Sequence, residues 1–232
     1  MAQLIQIDIP ASHGLLEGLL RLPDGMPASA SETPGATTGA ALALPTMAAV
    51  VCHPHPQFGG TMHNKVVFRL AAALVDAGIP ALRFNFRGIG RSTGEWDEGR
   101  GEAEDIRAAL DVMAARYPGV PLLLAGFSFG SWVGLPVGCA DPRVTHLIGV
   151  GVPVSLLSTD DLAGCAKPKL IVQGALDQYG PRAALEAWYA RLPEPKRLTI
   201  VPDADHFFTK YQTELAAALD DGLRAWFPSQ RG

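Results

Sequence analysis

Short apolar runs alternate along the 232 residues with longer stretches in which apolar side chains return every three or four positions. Residues 4–9 alternate apolar and polar as a half-buried strand does. Residues 15–22 follow the turn-prone Ser12-His13-Gly14, so the two segments predict a hairpin, closed by Pro23-Asp24-Gly25. Further strands are predicted at 47–52, 81–86, 122–125, 144–150, 169–173 and 198–201. Helical spacing covers 64–76, stopped by Gly78 and Pro80, and 102–116, which has acidic residues in its first turn and ends at Tyr117-Pro118-Gly119. It returns at 182–191 and 214–227, and residues 153–166 predict a polar loop or short helix. Strands alternating with helices at this spacing imply βαβ units. The expected fold is α/β, with a mostly parallel central sheet of about eight strands, helices on both faces and ligands beyond the carboxyl ends of the strands. Residues 26–45, rich in Ala, Ser, Thr, Gly and Pro, break the pattern and predict a flexible insertion within a single domain of residues 1–232.

The strongest local signal lies in residues 121–140, where an apolar run leads into Gly126-Phe127-Ser128-Phe129-Gly130 and then an amphipathic segment. Strand, sharp turn and helix are the setting in which a G-x-S-x-G elbow presents a serine hydroxyl. Gly126 and Gly130 permit the close backbone approach such a turn demands, and the Phe129 N–H falls at a helix N-terminus, where negative charge is favoured.

A serine hydroxyl attacks only when a base takes its proton, and the base works best when a carboxylate orients it. Asp177 follows the strand at 169–173, and His206 follows the strand at 198–201, giving the chain order Ser, acid, His that this elbow requires. Asp203 and Asp205 are rival acids beside His206, but close neighbours on one loop seldom point at each other, so Asp177 is preferred. A solvated loop acid is the bland alternative for Asp177. His13, His63 and His146 read as ordinary surface or loop residues, Ser131 as a hydroxyl facing backbone, and Cys52 as a buried strand residue.

Acyl transfer also needs two donors on the developing oxyanion. One is the Phe129 N–H; the other must come from His53-Pro54-His55-Pro56-Gln57-Phe58-Gly59-Gly60, where the prolines carry no N–H. His55 is favoured as the third residue of that loop, with Gln57 the alternative. A metal site built on His53 and His55 lacks a nearby Cys, Asp or Glu, so the His53 ring is expected instead to hold the loop by hydrogen bonds. The glycines of Arg87-Gly88-Ile89-Gly90 suggest a nucleotide loop, but the third Gly and the Lys-Ser/Thr of a P-loop are missing.

Composition narrows the partners. A hydrophobic fraction of 48% supplies a large single core. A net charge of −4 with scattered basic residues gives no footprint for nucleic acid. Three cysteines, Cys52, Cys139 and Cys165, without C-x-x-C spacing favour a reducing compartment. No apolar run reaches a membrane span and the start of the chain does not read as a signal peptide, so a cytoplasmic protein that does not bind membranes is expected. Oligomeric state leaves no signal.

With HPHPQFGGTMHNKVV, RFNFRGIGRSTGEWDEGRGEAEDI, GFSFG, QGALD and DADHFF in order, the chain from residue 47 onward resembles the α/β-hydrolase superfamily. More narrowly it is similar to small lidless bacterial hydrolases related to dienelactone hydrolases and to prolyl-oligopeptidase-type catalytic domains. The resemblance implies Ser128 as nucleophile, Asp177 as orienting acid and His206 as base, with no cofactor and no metal. Two features depart from it: His53-Pro54 stands where relatives carry a His-Gly oxyanion loop, and the 26–45 stretch is long. Only about twenty residues separate the strands at 144–150 and 169–173, too few for a multi-helix cap, so an open cleft walled by Phe58, Phe127, Phe129, Trp132 and Phe207 is expected. Such a cleft suits a small-molecule ester of short to medium acyl chain. A thioesterase or peptidase would use the same residues, and a non-catalytic binding protein of this fold is the alternative from another class.

Overall fold

Strand follows helix nearly as the apolar periodicity requires in the computed structural model, which describes residues 3–29, 45–156 and 162–226. β1 (Gln3–Ala11) and β2 (Gly14–Leu22) pair antiparallel with Ala11 opposite Gly14, leaving Ser12-His13 as a two-residue turn. The rest of the sheet is β3 (Ala48–Cys52), β4 (Ala81–Phe84), β5 (Leu122–Phe127), β6 (Val144–Val150), β7 (Lys169–Gly174) and β8 (Lys196–Val201). The eight strands lie in the order β1-β2-β4-β3-β5-β6-β7-β8, and every pair from β4 to β8 is parallel.

Every residue of β3, β5 and β7 is buried, because helices cover both faces of the sheet. On one face α1 (Lys65–Asp76) and α5 (Gln212–Trp226) set Val67, Leu70, Leu74, Leu215 and Leu219 against Val51, Leu123 and Val172. On the other, α2 (Arg100–Arg116), α3 (Phe129–Ala140) and α4 (Arg182–Arg191) set Ile106, Leu110, Leu135 and Leu185 against Val50, Leu124 and Ile171.

Element ends shift from the sequence expectation by one or two residues in several places, and two of these shifts have a polar reason. α2 starts at Arg100 because the wholly buried Glu102 carboxylate accepts the Gly99 N–H at 2.7 Å and the Asp97 N–H at 3.1 Å, closing the helix start. β4 stops at Phe84 because the Phe86 N–H turns away from the sheet toward the His53 ring. Of the 26–45 insertion, residues 30–44 lie outside the described residues, while Pro27 and Ala28 are held at the end of α2 by Tyr117 Oη and Arg116 Nη1. The connection from β6 to β7 forms only turns among its described residues. No helix among the described residues is long and apolar enough to cross a membrane.

The chain leaves β3 for β4 on one side and then crosses to β5 on the other. Such a reversal opens a crevice at the carboxyl ends of β3 and β5, where open α/β sheets bind ligands.

Candidate active site

The elbow at the end of β5 is held in an unusual backbone conformation. Ser128 has φ 53° and ψ −119°, a region costly for a residue with a side chain, at about 1–3 kcal/mol. Its neighbours make it possible: a Cβ on Gly126 would lie 2.3 Å from the Gly130 carbonyl oxygen, and one on Gly130 would lie 2.5 Å from that of His53. No side chain fits at either position.

Parallel pairing of β3 with β5 sets Cys52 beside Gly126, so the His53–Gly60 loop leaves the sheet next to the elbow. At the far side, β7 and β8 pair Gly174 with Val201, and the Asp177 and His206 loops leave together. Gly174 again allows contact, since a Cβ there would meet the Ala204 carbonyl oxygen at 2.4 Å.

The elbow and the loops after β7 and β8 bring Ser128, His206 and Asp177 into one hydrogen-bonded chain. His206 Nδ1 lies 2.7 Å from Asp177 Oδ2, and Nε2 lies 2.9 Å from Ser128 Oγ. An ionised carboxylate only accepts, so Nδ1 carries the imidazole proton and Nε2 presents its lone pair to the hydroxyl. Asp177 and His206 are almost wholly buried, while Ser128 is half-buried. Asp177 is further fixed by the Tyr179 and Gly180 N–H groups on Oδ1, at 2.8 and 3.0 Å, and by Gln173 Nε2 on Oδ2 at 2.8 Å. Asp205 spends its carboxylate on the N–H groups of Phe207 and Thr209, which removes it as a rival.

Within the His53–Gly60 loop most backbone donors are already used. Gln57 donates its N–H to His55 Nδ1 at 3.3 Å, Phe58 and Gly60 donate to the His55 carbonyl, and Gly59 donates to that of Pro56. That leaves His55 as the residue of the loop between the prolines whose N–H has no acceptor among the described residues, beside the equally free Phe129 N–H at the start of α3. Gln57 is thereby set aside.

His53 holds this loop from beneath. Its ring is fully buried, donates from Nδ1 to the Pro54 carbonyl at 2.6 Å and accepts the Phe86 N–H on Nε2 at 3.0 Å. Both nitrogens are occupied, so the ring offers no lone pair to a metal, and no group of three or more potential ligands gathers among the described residues. Burial pushes its pKa down to about 4, against weaker upward pulls from the Pro54 carbonyl and Asp105. Above about pH 6.5 the ring is neutral whether the chain is folded or not, and its contribution is complete. As pH falls toward 4, the unfolded chain takes up a proton that the folded ring refuses, so stability is lost, up to about 3 kcal/mol. Urea midpoints measured from pH 7 to 4.5 should therefore fall more steeply for the wild type than for His53→Gln. Equal slopes would show that the ring does not resist protonation.

Rings flank the site on two sides. His55, Trp96, Phe129 and Trp132 form a contiguous cluster with centroids 4.7–5.6 Å apart, while Tyr179 and Phe207 stand edge-on to His206 at 4.7 and 5.2 Å. Phe58 and Phe207 are exposed and Trp132 is half-buried, consistent with a rim. Phe127 is not a wall: it is fully buried beneath the His206 ring, because β5 is covered on both faces. Phe129 is also buried, at the base of its cluster.

Several residues take parts that the sequence did not suggest. His13, expected as an ordinary surface or loop residue, lies in the β1–β2 turn and points Nε2 at Asp105 Oδ1 at 2.9 Å. The fully buried Asp105 also accepts the Arg87 guanidinium at 2.8 Å and the Arg87 N–H at 2.9 Å. This knot anchors the loop that carries Trp96 over His55. The same loop turns its Thr93 N–H to the Leu15 carbonyl and its Gly88 N–H to that of Thr93, leaving no cradle for phosphate. Ser131 Oγ donates to the Ser128 carbonyl at 2.6 Å, and Ser92 Oγ to that of Asn85 at 2.7 Å. His146 lies at the opposite end of the sheet, against Trp226, and His63 is exposed in the turn before α1. Cys52 is buried and Cys139 and Cys165 are free thiols, and burial pushes the Cys52 thiol far up.

Residues 48–222 match the sequence pattern of the family described as "Alpha/beta hydrolase domain". An uncharacterised protein of Rickettsia prowazekii (strain Madrid E) is 36% identical over 184 residues, spanning 75% of this chain and 77% of that protein. A serine hydrolase without a lid from Xanthomonas campestris superposes with a TM-score of 0.83 at 34% identity, covering 98% of this chain and 97% of that one. A serine hydrolase homologue from Coxiella burnetii gives 0.82 at 34%, covering 94% and 97%.

Proposed function

Since the chain belongs to the α/β-hydrolase family, we propose that it is a serine esterase that cleaves carboxylic esters of short to medium acyl chain. The observation that carries this reading is the unbroken relay from Ser128 Oγ through His206 to Asp177, with spacings of 2.9 and 2.7 Å. Ser128 Oγ attacks the ester carbonyl while His206 Nε2 takes its proton, and Asp177 stabilises the imidazolium that results. The carbonyl oxygen, now an anion, is held by the Phe129 and His55 N–H groups. His206 returns the proton to the departing alcohol, and water, activated by the same imidazole, releases the acyl group from Ser128.

The preference for soluble esters rests on the rim. Phe58, Leu156, Leu176, Tyr179 and Phe207 are exposed on loops that follow β3, β6, β7 and β8, and none carries a charge. Such a surface favours neutral, apolar acyl groups, and nothing among the described residues roofs it over to enclose a long chain. Each methylene that reaches the rim contributes about 0.8 kcal/mol, or roughly fourfold in kcat/KM. In a series of p-nitrophenyl esters, kcat/KM should therefore climb from acetate toward medium chains and then drop. A maximum at long, insoluble esters would overturn the assignment of substrate size.

A further inference from the structure

We propose that Gln173 is a positioning residue of this site, locking the acid of the relay to the loop that follows β6; the proposal rests on the serine hydrolase reading. Gln173 is the penultimate residue of β7 and is wholly buried. Its Oε1 accepts the Val152 N–H at 2.8 Å, and its Nε2 donates to the Val152 carbonyl at 3.3 Å and to Asp177 Oδ2 at 2.8 Å. Oδ2 is the oxygen that also receives His206 Nδ1. Two donors thus converge on one oxygen, while the Tyr179 and Gly180 N–H groups occupy the other.

The arrangement has two effects. Val152 prevents the amide from turning over, so Nε2 rather than Oε1 faces the carboxylate, and Oδ2 is left one direction in which to accept the imidazole Nδ1–H. Sharing Oδ2 also tempers its pull on His206. Without the amide donor, the carboxylate draws harder on the Nδ1 proton and Nε2 holds an added proton longer, which moves the acid limb of kcat/KM to higher pH. Loss of orientation lowers kcat, because a displacement of about 1 Å near reacting groups costs up to roughly a hundredfold. The substrate does not touch Gln173, so KM should move little.

The test compares Gln173→Met, which keeps the length without the polar atoms, with Gln173→Glu, which keeps an acceptor for the Val152 N–H but places an oxygen against Asp177. Rates are normalised to serines that react with a fluorophosphonate probe, so only native sites are counted. Expected are a fall in kcat of about ten- to a hundredfold with KM within about twofold, and an acid limb moved upward in Gln173→Met. Gln173→Glu should lose activity as pH rises, when the introduced carboxyl gives up the proton it shares with Asp177. Should Gln173→Met fail to fold, Gln173→Glu decides. Wild-type kcat and an unmoved pH profile per reactive serine would reduce Gln173 to a structural tie between β7 and Val152. If the wild type does not react with the probe, or Ser128→Ala does, the serine hydrolase reading fails first and takes the role of Gln173 with it.

Discussion

Ser128→Ala is expected to lower kcat for ester hydrolysis by about a million-fold and to remove labelling by fluorophosphonates while leaving the fold in place. Ser128 Oγ makes one hydrogen bond among the described residues, to His206, so its loss removes the nucleophile and little else. The Phe129 and His55 N–H groups remain, and they should sustain a residual rate above that of water. Matching thermal melts for the two proteins would show that the loss is chemical. Labelling that survives in Ser128→Ala, mapped by mass spectrometry to another residue, would sink both the nucleophile and the reaction.

Gly130→Ala should damage stability and activity together. The added methyl would lie 2.5 and 2.6 Å from the His53 and Cys52 carbonyl oxygens, backbone atoms at the end of central strand β3 and at the first residue beyond it. Nothing there is a flexible side-chain tip that could step aside. Overpacking of this kind costs about 3 kcal/mol, or about 6–12 °C in melting temperature for a chain of this size. Any relief must come by pushing the His53–Gly60 loop outward, which displaces the His55 N–H and lowers kcat in the protein that still folds. Gly164→Ala is the control, since its Cβ meets nothing within 4 Å. A Gly130→Ala protein that melts and turns over like the wild type would mean that the start of α3 does not lie against the end of β3 as described.

The strands and helices were legible because covered strands leave unbroken apolar runs and the helices between them leave a helical repeat. Ser128, Asp177 and His206 could be picked out because each follows such a run. What escaped is what periodicity does not encode. Phe127 continues a strand buried on both faces, so no alternation marks which way its ring points. Trp96 sits in a loop of glycines and charges, and only the His13–Asp105–Arg87 knot, closed across 92 residues of sequence, shows where that loop is tied. Gln173 did leave a trace: it is the polar residue at the end of Leu170-Ile171-Val172, and a buried amide there needs partners.

The register that sets Cys52 beside Gly126 joins segments far apart in the chain, and the Ser128–His206 contact spans 78 residues. No short fragment of the polypeptide holds all three of Ser128, Asp177 and His206. Competence must appear late, after β3, β5, β7 and β8 have all docked, and non-local closure of that kind is slow to form. Turnover regained after dilution from urea is for that reason a gauge of the finished sheet, and would lag behind any signal from helix formation.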